Sequence, residues 1–479
     1  MLPPIKLPLK PWFSELGIAA GMVVLAQVAW LMADHVLRIY MGDSMVFLQA
    51  AKEFSTPAAR SYPYGWALYL FTRPSSSPEA MLAFNVACSI FTALALFSWL
   101  RLFLRLSLWI CLSAAVLISI EPAQVFMVRM VMAESFGLAA LTGTFLCLAF
   151  YLRSQRLPWF ILAALLGLGA AALRTNFLPL VLGMSLTAAI LLLLEPRARS
   201  ARFRHFAAAL LVLGGLHTGY TQLYGRSVGQ PAGYVAHSGM MAIGLVAPLI
   251  KPEHFEGTDV SGEILGTVAL PLHDHWQRGN HIWAPDGLWA ALSKASTNPE
   301  LTARTVTRRA MLDDPVGLLK INIETLGGYF DARKSYWRML DDIGSIAPDE
   351  RAIGLIHDWF DWDVRGLSMR ESPARKFFQS SGYWLVFCLF SLLPLSLASM
   401  AIGWRQPERA QYLLLGFTSL GLLACHLLFV HIISFRYLHP LPWFVLAHVA
   451  VILSWFGSML RRGRQSSDRQ APSSPVDLS

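Results

Sequence analysis

An all-α polytopic membrane protein is the fold class this chain predicts, and three observations predict it. Of 479 residues, 55% are hydrophobic and only 14% charged, with mean hydropathy +0.48, too apolar for a soluble chain of this length. Apolar runs of about 20 residues, enough to cross roughly 30 Å of hydrocarbon, recur along most of the sequence and do not alternate as the strands of a membrane barrel would. Basic residues gather in every second loop between these runs, as the positive-inside bias of an alternating topology requires.

Taken in order, about ten transmembrane helices are expected, near 14–34, 79–100, 106–121, 134–152, 157–173, 176–195, 205–224, 381–402, 410–431 and 438–460. The first apolar run, Leu16 to Ala33, is longer than a signal-peptide core and meets no clear cleavage site before Asp43, so it reads as an uncleaved span. Lys6 and Lys10, Arg101 and Arg105, Arg153 and Arg156, Arg197 to Arg204, Arg405 and Arg409, and Arg461 to Arg464 all fall on one side. Both termini are therefore expected in the cytoplasm of a cell inner (plasma) membrane. Arg174 interrupts the apolar stretch 157–195 and marks either a tight outer turn or a buried cation.

Four regions follow from this pass. Residues 1–224 form a transmembrane module whose first outer loop, 35–78, carries an interfacial helix: Phe47, Ala50, Ala51 and Phe54 recur at helical spacing behind Asp43. Residues 225–380 are too long for a bare connector and form a mainly helical extracytoplasmic segment, with Asp313-Asp314-Pro315 as a helix break and restart. The last spans occupy 381–460, and 461–479 reads as a disordered cytoplasmic tail.

The charge of +9 and pI near 9.4 do not indicate nucleic acid, because the basic residues sit in short loops beside the spans and act as topology signals. All five cysteines lie in apolar runs, and neither a disulfide framework nor a zinc spacing is present. His273, His275 and His281 in HDHWQRGNH lack helical pairing and read as solvated loop residues, while His426 and His431 read as core histidines.

The outer face is expected to collect Asp43, Arg60, Arg73, Glu121, Arg129, Glu134, Arg174 and Arg436. Outer arginines run against the positive-inside bias, and a phosphate is the simplest reason for them, since guanidinium binds its oxygens in bidentate fashion. Carboxylates beside them suit a divalent metal, which takes hard oxygen ligands, or a general base. Plainer roles stand alongside: Asp43 as a helix N-cap, Glu134 as a partner of Arg129, Arg174 and Arg436 as snorkelling cations.

Three motifs resemble the polytopic glycosyltransferases of the GT-C superfamily, specifically bacterial glycosyltransferase family 39 and its aminoarabinose- and mannosyltransferase-like relatives. GDSMVFLQAAKEF with YPYGWALYLF is similar to the family's first outer loop, VRMVMAESFG to its second acidic motif, and SFRYLHPLPWFVLA to its carboxyl-end Arg-Tyr run. The resemblance covers roughly residues 14–200 and 430–460. It implies an inverting enzyme that moves a sugar from a polyprenyl-phosphate donor to a lipid or glycan acceptor at the extracytoplasmic face of the cell envelope. It places the catalytic or metal-binding acid on Asp43, the second outer acid on Glu134 and lipid-phosphate contacts on Arg174 and Arg436; Arg60, Tyr62, Arg129 and Tyr437 join them as candidate substrate contacts, with a divalent metal bound by Asp43 and Glu134 as the cofactor to be tested. A lipid-linked glycan ligase or polymerase, and a non-enzymatic lipid-phosphate transporter, are the alternatives.

Overall fold

The computed structural model describes residues 9–39, 43–57, 60, 62–194, 199–344, 350–366 and 370–470. Among them the regular secondary structure is helical, with one isolated parallel bridge between Arg38 and Met130 in place of any strand. Seven helices are long and apolar enough to cross a membrane: Trp12–Ala33, Pro78–Phe103, Glu134–Ser154, Thr175–Leu193, Gly382–Gly403, Arg409–Phe429 and Phe435–Arg461.

The other three expected spans differ. Leu108–Ser119 has 12 residues, about 18 Å of helix. It stops where Glu121 and Pro122 begin a new helix, Pro122–Met127. Leu157–Leu173 has 17 residues and ends at the extended residue Arg174. The run 205–224 lies inside Arg199–Val228, whose arginines and glycines dilute its apolar character. At the other end of the chain, helix Leu441–Gln470 continues through residues 461–470, where the disordered tail was expected to begin; 471–479 lie outside the described residues.

Polar side chains tie the bundle together where lipid offers them no partner. Gln27 donates to the Ser119 carbonyl and the Ser89 hydroxyl, and Trp443 to the carbonyl of Thr92. His448 sits among Ser396, Ser399 and Ser419, joining the last three spans. At one end of the bundle Arg101 makes a paired contact with Glu15 at 2.7 and 2.6 Å, and Arg105 reaches Glu408.

The opposite end carries the first loop and residues 225–380. Helix Asp43–Glu53 buries Phe47, Leu48, Ala50 and Ala51 and packs against helix Pro63–Thr72. Gly65 permits that approach, since a Cβ there would stand 3.0 Å from Ala50. Phe54 is half-exposed with φ of +50° and ends the helix.

The long polar segment folds as short helices around its own core of Ile243, Val246, Phe255, Leu288, Leu292 and Val306. Its expected break is present: Pro299–Asp313 gives way to Pro315–Gly327, and the Asp314 carboxylate caps the second helix by accepting from Gly317 N at 2.7 Å. Arg278 fastens this segment to the bundle. It is fully buried and donates to the carbonyls of Leu245, Val430 and His431 and to the Thr325 hydroxyl.

Candidate active site

Asp43 opens helix Asp43–Glu53, and Glu134 opens the span Glu134–Ser154, so both carboxylates stand at positive helix N-termini. Arg174 follows the last turn of Leu157–Leu173 and leads into a tight turn, Thr175–Phe177. It is both a tight turn and a buried cation. Its aliphatic stem crosses Gly137, where a Cβ would meet Arg174 Cδ and Cγ at 3.3 Å, which gives the glycine of ESFG a packing reason. Arg436 lies in the turn Phe435–Leu438 that begins the last span.

These elements converge on one network. Asp43 takes Arg60 Nε at 2.9 Å on one oxygen and Arg436 Nη1 at 3.4 Å on the other. Glu134 faces Arg174 at 3.1 Å and Arg436 at 3.8 Å. Tyr437 lies beneath both arginines, its ring 5.7 Å from the Arg174 guanidinium and 5.9 Å from that of Arg436. Exposure falls across the network, from 25% and 16% for the Arg60 and Asp43 side chains to 9% and 3% for Arg174 and Glu134. The first pair is part-exposed and the second is buried.

Sequence reasoning missed a third acid. Asp342, on helix Ala332–Ile343, is buried and accepts from Ser434 Oγ at 2.9 Å, Phe435 N at 2.5 Å and Arg436 N at 3.3 Å, with Arg436 Nε 3.8 Å away. Its neighbour Asp341 instead meets Arg338 at 3.2 Å. One position of helical rotation separates the two acids, and the segment's hydrophobic spacing did not specify which faced inward. Three carboxylates thus meet three guanidinium groups.

Burial pulls the Asp43 carboxyl upward, but the charges and hydrogen bonds of Arg60 and Arg436 outweigh it and hold the group below its ordinary range. Asp342 goes the other way: burial pushes it up to about 6, against the opposing pull of Arg436 and its three donors.

Two expected members lie elsewhere. Arg129 is fully buried and donates to the backbone carbonyls of Asp34, Val125 and Trp30, with the Asp34 carboxylate 3.9 Å away. It braces the exit of the first span and is not the partner of Glu134. Tyr62 belongs to an aromatic stack with Trp66, Tyr220 and Tyr224. Of the wider outer set, Arg73 lies over Tyr69, and Glu121 caps Pro122–Met127 while accepting from Trp384.

Among the described residues no three of His, Cys, Asp and Glu come together as metal ligands. The Arg436 guanidinium lies within reach of both Asp43 and Glu134, where a shared cation would have to sit. With that guanidinium between the two acids, the residues present do not fit a divalent metal.

No protein-family model, curated protein or solved structure matches the chain. The likeness to GT-C glycosyltransferases rests on its short motifs alone. Fold and site together define a helical membrane protein with a buried, charge-balanced arginine and carboxylate network at one end of its bundle.

Proposed function

We propose that the chain is an inverting glycosyltransferase that moves a sugar from a polyprenyl-phosphate donor to a lipid or glycan acceptor at the extracytoplasmic face of the membrane. The observation that carries this reading is the network itself: residues as far apart as Asp43 and Arg436, 393 positions in sequence, supply acids and arginines to one partly open site at the span ends. The reading takes that end as extracytoplasmic, on the alternation of basic loops.

The reaction is a displacement at the anomeric carbon. The acceptor oxygen or nitrogen attacks C1, the bond from C1 to the phosphate oxygen breaks, and the phosphate departs as an anion held by Arg174 and Arg436. The acceptor's proton goes to Asp43. A good leaving anion needs no general acid. With Arg60 and Arg436 in place, Asp43 is a weak base. A donor phosphate that draws Arg436 to itself removes one of these charges and raises the basicity of Asp43, so donor binding precedes proton removal.

A transporter would favour ionisable groups in mid-membrane, and His448 is one such group. Its ring nitrogens meet the hydroxyls of Ser396, Ser399 and Ser419, with no charged partner, which suits a tie between helices better than a relay.

The test is sugar transfer from a polyprenyl-phosphate donor by purified protein in lipid. Asp43→Asn keeps size and capping ability yet cannot accept the proton, so turnover is expected to fall by about 100-fold or more with yield retained. Full activity in this variant would remove Asp43 from the chemistry.

A further inference from the structure

A cavity of about 260 Å³ lies in the outer segment, walled on one side by Trp276, Lys334, Trp337, Arg338 and Asp341, and on the other by His431 to Ile433. It is just below the roughly 300–1,000 Å³ of drug-sized sites, which suits a ligand unit of a single ring. Its chemistry is mixed. The Lys334 ammonium stands over the Trp276 ring, 3.4 Å from the centroid, and Trp337 leaves more than half of its surface uncovered. Arg338 holds one acid, Asp341, across a single helical turn, a contact that a better-placed anion can replace.

The uncovered indole of Trp337 matches the C–H face of a pyranose ring, and a guanidinium fork matches a carboxylate or phosphate on that ring. We infer that this cavity binds one anionic monosaccharide unit. Its place supports a role in the reaction. The wall His431 to Ile433 runs directly into Ser434, Phe435 and Arg436, and the helix that supplies Arg338 and Asp341 also supplies Asp342 to that same turn. His431 in turn faces the ring of Tyr437, at 6.5 Å. On the glycosyltransferase reading, on which this second step rests, the cavity is the subsite for the acceptor's sugar.

Binding is measured by calorimetry on the full chain in nanodiscs, with glucuronic acid, glucose 6-phosphate, glucose and inorganic phosphate as probes. The two anionic sugars are expected to compete for one site, and Trp337→Ala and Arg338→Gln each to weaken them by about tenfold or more. Inorganic phosphate binding as tightly as glucose 6-phosphate and indifferent to Trp337→Ala, or glucose binding as tightly as glucuronic acid, would overturn the inference. So would no binding by any probe. A glucuronosyl lipid in the nanodisc that binds more tightly than the free sugar assigns the unit to a lipid, and equal binding assigns it to a soluble glycan end. Wild-type protein that binds the sugars but transfers nothing would sink the enzyme reading alone. Transfer by Trp337→Ala at an unchanged acceptor KM would sink the subsite alone.

Discussion

Two kinds of buried arginine hold this molecule, and they are satisfied in different ways. Arg129 and Arg278 donate to backbone carbonyls, three each, with the Asp34 carboxylate a further 3.9 Å from Arg129 and Thr325 as a further acceptor for Arg278. Arg174 and Arg436 face carboxylate side chains, Glu134 for the first and Asp43, Glu134 and Asp342 for the second. A carbonyl is fixed by the chain that carries it, and no ligand can replace it without moving backbone. A carboxylate is a side-chain anion, and another anion can take its place. The first kind of arginine braces a fold, and the second suits a site.

Conservative substitution should separate the two kinds. In Arg129→Lys one ammonium replaces a fork that serves three divergent carbonyls, and stability is expected to fall by about 2–4 kcal/mol, read as a lower unfolding midpoint in detergent. Arg436→Lys keeps the charge among the acids, so its midpoint should stay near wild type while donor turnover drops by about tenfold for want of bidentate contact. A large midpoint loss in the second variant with normal turnover would erase the distinction.

The comparison sharpens at Asp342, because its proton has opposite effects on fold and site. The folded chain binds that proton at about 6, above the ordinary 3.8. As pH rises from about 4 to 6, the unfolded chain releases the proton first, so this group's contribution to stability falls and is lost above about 6. Ionised Asp342 is also the form that holds Arg436. Transfer is therefore expected to rise through pH 6 while the midpoint declines, and Asp342→Asn should flatten both profiles, as activity and unfolding series across pH 4–8 would read. The smallest effect belongs to Arg101→Lys. Its pair with Glu15 is partly exposed at the other end of the bundle, so stability should change by about 0–1 kcal/mol and transfer not at all.

Much of this was legible in the sequence where position alone decides the outcome. The apolar runs of the first, second, fourth, sixth and last three expected spans appear as helices because length and hydropathy suffice for them. Asp314 caps its helix because Asp before Pro has few other roles there. Asp43, Glu134, Arg174 and Arg436 meet because each stands at a helix end at the same end of the bundle. Arg129 shares that address, yet the turn after Pro122–Met127 aims it back at the first span's carbonyls, and only three-dimensional backbone direction reveals this. Asp342 was hidden for a similar reason. In a segment with its own core, rotation of one helix decides whether Asp341 or Asp342 turns inward.

The distance along the chain between Asp43 and Arg436 also sets a clock. At about 5–20 residues per second, the 393 positions from one to the other take about 20–80 s to synthesise, and for that time the first-loop acid has Arg60 but not Arg436. The buried pair waits too, since Glu134 meets Arg174 early and Arg436 late. Assembly of the network is thus an event at the end of translation, and a nascent chain released before the last span inserts carries the acids of the site without the arginine that joins them.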